Sequence, residues 1–195
     1  MEEVWDTGLC SGCGACVAVC PADAITFRKD AEFSRPVHTG YCKDENDGVP
    51  CGACYAACPR TKEQQTHRLG ATGPGSYLRM LSARSGFEVQ KRQSGGAVTA
   101  ILSSALEEGT IDCVVTITAD PWTQKPAAML ITDREVLITK AGSRYAWWVP
   151  LLSALKTAVV TQKKGKIAIV GVPCAVSAAR IIKSSDHVFL KPYGR

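Results

Sequence analysis

The chain has 195 residues, 46% of them hydrophobic, and 23 Lys and Arg against 18 Asp and Glu for a net charge of +5. That length suits one ordinary domain or two small ones, and that apolar content predicts a folded protein rather than a disordered one. No apolar run reaches the roughly 18–20 residues of a membrane span. Residues 1–6 carry neither a basic nor an apolar export segment, so the expectation is a cytoplasmic, reducing compartment, with membrane association only through a partner complex.

Eight of the ten cysteines lie in the first 58 residues, in two runs. The first is Cys10, Cys13, Cys16 and Cys20, followed by Pro21; the second is Cys42, Cys51, Cys54 and Cys58, followed by Pro59. The first has Cys-x2-Cys-x2-Cys-x3-Cys-Pro spacing, and the second differs only in having eight residues between Cys42 and Cys51. Both resemble the runs that hold two [4Fe-4S] clusters in bacterial-type ferredoxins, where the fourth cysteine of each run serves the other cluster. That pattern assigns cluster one to Cys10, Cys13, Cys16 and Cys58, and cluster two to Cys42, Cys51, Cys54 and Cys20.

Such an arc wraps the backbone around one cube, pointing thiolates and N–H donors inward, and small residues such as Gly12, Gly14, Ala15, Gly52 and Ala53 permit the close approach. Zinc is the competing ligand, but four tetrahedral donors do not call for such an arc. Disulfides are disfavoured by the missing export segment. The polar insertion over residues 43–50 is expected to be a surface loop, which keeps Cys42 as the ligand, with an unusual ligand for cluster two as the alternative.

A breaker-rich stretch, including Gly70, Gly73, Pro74 and Gly75, separates the chain into residues 1–66, a linker at 67–76, and residues 77–195. Residues 1–66 carry a net charge of −4 and residues 67–195 a net charge of +9. A basic second half is expected to receive an anionic ligand, or else simply presents a solvated cationic surface. Its cations are scattered without aromatic platforms, which argues against nucleic acid.

In the second half, Ser94, Gly95 and Gly96 precede an apolar pattern of helical spacing (Val98, Ile101, Leu102, Ala105, Leu106) that Gly109 can end, with Ser94 as the expected cap. The Gly-Gly pair exposes N–H groups suited to a phosphate or a flavin edge, although such pairs also serve as plain turns. Strands are predicted over 111–118, 127–132, 135–139 and 166–170, and helices over 149–164 and from Pro173 to about residue 183. This alternation predicts an α/β layer with ligands at the carboxyl ends of strands. Cys174, at a helix start, reads as a pocket-lining residue or thiolate, or as a small packed hydrophobe. Cys113 reads as core, and His38, His67 and His187 are too dispersed to form a catalytic set.

Three segments together resemble the coenzyme F420 hydrogenase/dehydrogenase beta-subunit family: Ser94-Gly95-Gly96-Ala97-Val98-Thr99, Ala141-Gly142-Ser143-Arg144-Tyr145, and Val170-Gly171-Val172-Pro173-Cys174. Residues 77–85 resemble that domain's opening. The resemblance implies an α+β chain: a bacterial 2[4Fe-4S] ferredoxin-like domain, then an α/β flavin-binding domain. It implies an oxidoreductase of F420H2 dehydrogenase or F420-reducing beta-subunit type, in which FAD exchanges a hydride with coenzyme F420 and single electrons pass through the clusters. The partner it implies is a larger subunit of formate dehydrogenase, hydrogenase or F420H2 dehydrogenase type.

Carried onto this chain, the resemblance makes Ser94, Gly95, Gly96, Thr99, Gly142, Ser143, Arg144 and Tyr145 flavin contacts, with Pro173 and Cys174 nearby. Arg144 stands where the family often has Lys, keeping the charge but not the geometry. Family members run on with further cysteines, so the flavin domain is expected to be incomplete at its C-terminus. A reductase acting on a chlorophyll-type substrate and a non-catalytic ferredoxin relay are the alternative functions.

Overall fold

Residues 1–28, 35–66, 77–144 and 149–194 are described in the computed structural model of the chain. The first half opens with α1 (Glu2–Trp5), passes through the first cysteine arc into α2 (Ala15–Val19), and forms an antiparallel hairpin of β1 (Ile25–Phe27) and β2 (Pro36–His38). Trp5 packs on His38 with ring centroids 5.2 Å apart, closing the hairpin over α1. The insertion expected to be a loop holds one helical turn, α3 (Lys43–Asp47). Asn46 Oδ1 accepts from Cys42 N at 2.6 Å, a local capping bond that a reading of the stretch as merely polar overlooks. The second arc then enters α4 (Ala53–Ala56), followed by α5 (Lys62–Thr66).

The two arcs repeat one another as Cys-Gly-Ala-Cys at 13–16 and at 51–54. Gly14 (φ +84°) and Gly52 (φ +64°) cap α2 and α4 in the left-handed region, which other L-residues enter only at about 1–2 kcal/mol. Ala15 and Ala53 are fully buried, and their lack of bulk lets α2 and α4 lie against each other between the arcs.

The second half contains α6 (Ala97–Glu107), β3 (Cys113–Ala119), β4 (Pro126–Ile131), α7 (Arg134–Thr139), α8 (Ser153–Lys156), β5 (Ile167–Ile169) and α9 (Pro173–Ser184), with a last 3-10 turn at Lys191–Tyr193. The sheet runs β4-β3-β5. β3 and β4 form an antiparallel pair from Val114–Ile131 to Ala119–Pro126, and β3 and β5 are parallel from Cys113–Ile167 to Val115–Ile169. Cys113, Val114 and Val115 are fully buried in this central strand.

Three expectations are corrected. Residues 135–139 are helical, not a strand: Asp133 caps α7 by accepting from Val136 N at 2.9 Å, and Leu137 turns inward. Short apolar runs do not distinguish the two states, and the cap decides. The helix expected over 149–164 is α only from Ser153 to Lys156 and continues as a π-turn over Thr157–Thr161. Pro150 and the tight Leu151 N to Val149 O contact at 2.7 Å delay its start. Finally, Gly96 rather than Ser94 occupies the cap of α6, with no side-chain hydrogen bond.

One apolar core joins the halves. Ala15, Ala18, Val19, Ala53 and Ala57 from the cysteine-bearing half pack with Leu151, Leu152, Leu155, Ala178, Ile182 and Leu190 from the other. Among the described residues, four hydrogen bonds cross the same boundary and land on backbone carbonyls: Leu152 N to Cys13 O (2.9 Å), Lys156 Nζ to Cys20 O (2.6 Å), His187 Nε2 to Cys51 O (2.5 Å) and Tyr193 OH to Ala18 O (2.5 Å). Lys156 also pairs with Asp23. The linker at 67–76 lies outside the described residues.

Candidate functional site

Cys10, Cys13, Cys16 and Cys58 line one cavity together with Ser11 and Gly14. Cys54 lies within electrostatic reach of Cys20 and Cys51, while Cys42 sits at the N-terminal end of α3. Among the described residues no three or more His, Cys, Asp or Glu side chains close on a point suited to a single metal ion.

The chemistry of this shell suits an anionic, sulfur-bound group. Burial pushes the Cys13 thiol up to about 12 and the Cys54 thiol up to about 11, raises Cys10 and Cys58, and holds Cys16 well above its usual value. Dry thiols keep their protons until a metal replaces them. Backbone donors are already aimed at the sulfurs: Gly12 N reaches Cys10 Sγ at 3.4 Å and Ala24 N reaches Cys20 Sγ at 3.3 Å. Ser11 Oγ is buried beside the first cavity without a hydrogen-bond partner among the described residues. A cluster sulfur there would satisfy a hydroxyl that otherwise carries a desolvation penalty.

A separate cleft of about 440 Å³ lies in the other half, within the range of small-molecule sites. Its floor is apolar and comes from β3, β4 and the end of β5, through Val114, Ile117, Ile131 and Val170. One wall is the loop of Gln93, Ser94, Gly95 and Gly96 running into the first turn of α6; the other runs from Lys140 to Arg144. Gln93 Oε1 accepts from Ser143 N at 3.0 Å and ties the two walls together. A β-carbon on Gly95 would stand 2.8 Å from Ala83 O, so only glycine lets this loop lie against residues 83–84.

The electrostatics of the cleft point one way. Arg92, Lys140 and Arg144 line it, and among the described residues no Asp or Glu does. No acidic residue occupies the first turn of α6, and its cap contributes no side-chain acceptor, so the free N–H groups of an 11-residue helix add to the positive end of the cleft. The cleft therefore suits an anionic ligand with an apolar portion.

Ser94, Gly95, Gly96, Thr99, Gly142, Ser143 and Arg144 all line the cleft, so residues nearly fifty positions apart in sequence are brought together. Tyr145 lies outside the described residues. Pro173 and Cys174 are not part of the cleft wall, which ends at Gly171 and Val172. Cys174 instead stands close enough to Cys10 and Cys13 for its charge to raise both thiols. Sequence inspection overlooked Arg92 and Lys140 as cleft cations, and Lys156 and His187 as ties to the cysteine carbonyls. The only signal for the first pair was the overall charge of the second half. Contacts to backbone carbonyls leave no sequence signal at all.

Residues 80–156 match the family described as coenzyme F420 hydrogenase/dehydrogenase, beta subunit N-term, and residues 3–26 match the 4Fe-4S binding domain. An uncharacterized protein of Methanocaldococcus jannaschii is 42% identical over 98% of this chain and 58% of its own length. The coenzyme F420-dependent sulfite reductase of the same organism is 31% identical over 92% of this chain and 26% of its own length. A subunit of the F420H2 dehydrogenase of Methanosarcina mazei is 32% identical over 95% of this chain and 51% of its own length. The chain thus spans between about a quarter and somewhat over half of these relatives. Among the described residues no helix is long and apolar enough to cross a membrane.

Proposed function

We propose that this chain, a member of the coenzyme F420 hydrogenase/dehydrogenase beta-subunit family with an N-terminal 4Fe-4S binding domain, is an electron-transfer unit of an F420-linked oxidoreductase. The cleft lined by Ser94, Gly95, Gly96, Thr99, Gly142, Ser143 and Arg144 would hold FAD, which would supply hydride exchange with coenzyme F420, and the eight N-terminal cysteines would hold two [4Fe-4S] clusters that would supply one-electron transfer to a larger partner subunit of hydrogenase, formate dehydrogenase or F420H2 dehydrogenase type. Bound FAD would supply the conversion between one hydride and two single electrons.

The observation that carries this reading is the pairing of a cleft whose described lining is cationic with a small cavity lined by four cysteines across one shared core. Each element of the chain has a definite task in it. Gly95 and Gly96 admit a ligand backbone close to the α6 N-terminus, whose free N–H groups meet anionic oxygen. Arg92, Lys140 and Arg144 balance the charge of a diphosphate. The apolar floor of Val114, Ile117 and Ile131 keeps water from a ring stacked on it.

The test is anaerobic purification followed by counts of iron, sulfide and flavin, then addition of F420H2 with a viologen dye. About eight irons, as two four-iron clusters require, with one flavin and F420H2-dependent dye reduction are expected. Arg144→Ala should weaken flavin binding roughly tenfold or more, from the ~1.5–3 kcal/mol of a charge-assisted hydrogen bond. Eight irons without flavin or turnover would sink the hydride reading and leave a ferredoxin relay.

A further inference from the structure

Lys156 stands where a lysine does little for the fold. It ends α8, and its Nζ donates to Cys20 O at 2.6 Å and pairs with Asp23 Oδ1. The Lys156 side chain is only 21% exposed while that of Asp23 is 78% exposed, so the cation is withdrawn from water and its counter-ion is not. Such a lopsided pair is a poor source of stability, because solvent screens the carboxylate and the ammonium gives up hydration. Leu152 and Leu155 already fix α8 in the shared core by apolar packing.

The charge is aimed at one cysteine. Cys20 is 8% exposed, and its Sγ accepts from Ala24 N at 3.3 Å. The carbonyl that Lys156 grips belongs to the same residue, so the ammonium is held beside that sulfur in a region of low dielectric, where Coulomb terms are large. Tyr193 also reaches Cys20 and Asp23, but burial pushes its phenol up to about 12 and keeps it uncharged. His187 holds Cys51 O through Nε2, with Nδ1 accepting from Phe189 N at 3.3 Å, an arrangement that leaves the ring uncharged. Arg60, an exposed residue, lies within electrostatic reach of Cys10 and Cys58 instead.

We propose that Lys156 tunes the redox potential of the cluster that Cys20 serves, its ammonium favouring the reduced state of that cluster over the oxidised one. This rests on the two clusters of the proposed function. Reduction adds one electron and no proton, so the shell around Cys20 gains one negative charge. A cation fixed beside it stabilises that state more than the oxidised one. Removing the cation should lower the midpoint potential, and removing the opposing charge of Asp23 should raise it.

The test is an EPR-monitored redox titration of the whole chain with both clusters loaded, on the unmodified protein, Lys156→Met and Asp23→Asn. Lys156→Met keeps an unbranched side chain and removes its charge. One of the two midpoints should fall, so that at a fixed potential the ratio of reduced to oxidised cluster drops about tenfold, or about 59 mV for one electron. Asp23→Asn should move the same midpoint upward and by less, since Asp23 is largely exposed and screened. Asn is at home at the φ of +53° that residue 23 adopts, so this variant preserves the turn.

A packing role for Lys156 would not give shifts of opposite sign in the two variants. Unmoved midpoints in Lys156→Met, or equal shifts of both, overturn the proposal. Where Lys156→Met does not hold both clusters, Asp23→Asn decides, and an unchanged or lowered midpoint there refutes the tuning. An unmodified chain with fewer than two four-iron clusters would instead overturn the proposed function on which this inference rests.

Discussion

Gly14→Ala against Gly52→Ala separates the junction between the two halves from everything else the arcs do. The two glycines occupy the same position of the repeated Cys-Gly-Ala-Cys unit, at φ +84° and +64°. Alanine at either site enters the left-handed region at about 1–2 kcal/mol. Nothing lies within 4 Å of a β-carbon on Gly52, whereas on Gly14 it would meet Pro150 O at 2.9 Å and Pro150 C and Cβ at 3.0 Å. Residue 150 has little freedom to retreat, since its carbonyl accepts from Ser153 N at 3.0 Å and Ser153 Oγ at 2.7 Å, and Leu152 is tied to Cys13. Overpacking of this kind adds about 1–3 kcal/mol.

Gly52→Ala should therefore lose about 1–2 kcal/mol and Gly14→Ala about 2–5 kcal/mol. Denaturant unfolding of the cluster-loaded chain under anaerobic conditions, after both variants are shown to carry the iron of the unmodified protein, measures the difference. Equal losses would refute the account, because they would mean that the first arc does not press on residue 150.

Two further outcomes test local structure. Asp133→Ala should cost about 1 kcal/mol, roughly 2–4 °C in the thermal midpoint of a chain this size, by removing the acceptor for Val136 N that makes residues 134–139 helical; no change would mean that the cap does not select the helix. Asp112 accepts from Gly165 N at 3.0 Å and Lys166 N at 2.9 Å, and these donors lower its pKa below the usual 3.8. A depressed carboxyl stabilises the fold fully above pH 3.8 and progressively less as pH falls through the lower folded value. The stability gap between the unmodified chain and Asp112→Asn should accordingly be constant at neutral pH and narrow below that window in an acid titration.

Much of the architecture is legible in the residues because it depends on local rules. β3 shows as an unbroken β-branched run from Val114 to Thr118, and α9 as Pro173 opening a periodic stretch. The ferredoxin character of the first half rests on cysteine spacing, which is dictated by the size of the group the cysteines bind. What was missed depended on competition between local signals. Residues 135–139 satisfy a strand pattern as well as a helical one, and Asp133 tips the balance through a single hydrogen bond. The insertion after Cys42 looked like a loop because its polar residues carry no periodicity, yet Asn46 closes a turn within it. In the candidate site, the loop glycines and the Gly142, Ser143 and Arg144 wall were visible as motifs. Arg92 and Lys140 were not, since a cation's facing direction is a tertiary property.

The junction between the halves was the least legible part, for a reason that bears on function. Among the described residues, four of its polar ties end on the main-chain carbonyls of Cys13, Ala18, Cys20 and Cys51, and any residue offers a carbonyl. Its apolar part uses alanines, Ala15, Ala18, Ala53 and Ala57, whose small size brings helices close without a distinctive pattern. Three of the four tied carbonyls belong to cysteines of the two runs, so movement of one half against the other would disturb the arcs themselves. A chain that only needed to tether a ferredoxin to a second domain could use the linker alone. Burying alanines of both arcs in the same core as Leu151, Leu155 and Ile182 fixes the first arc against the half that carries the cleft, which is what the proposed function asks of the junction.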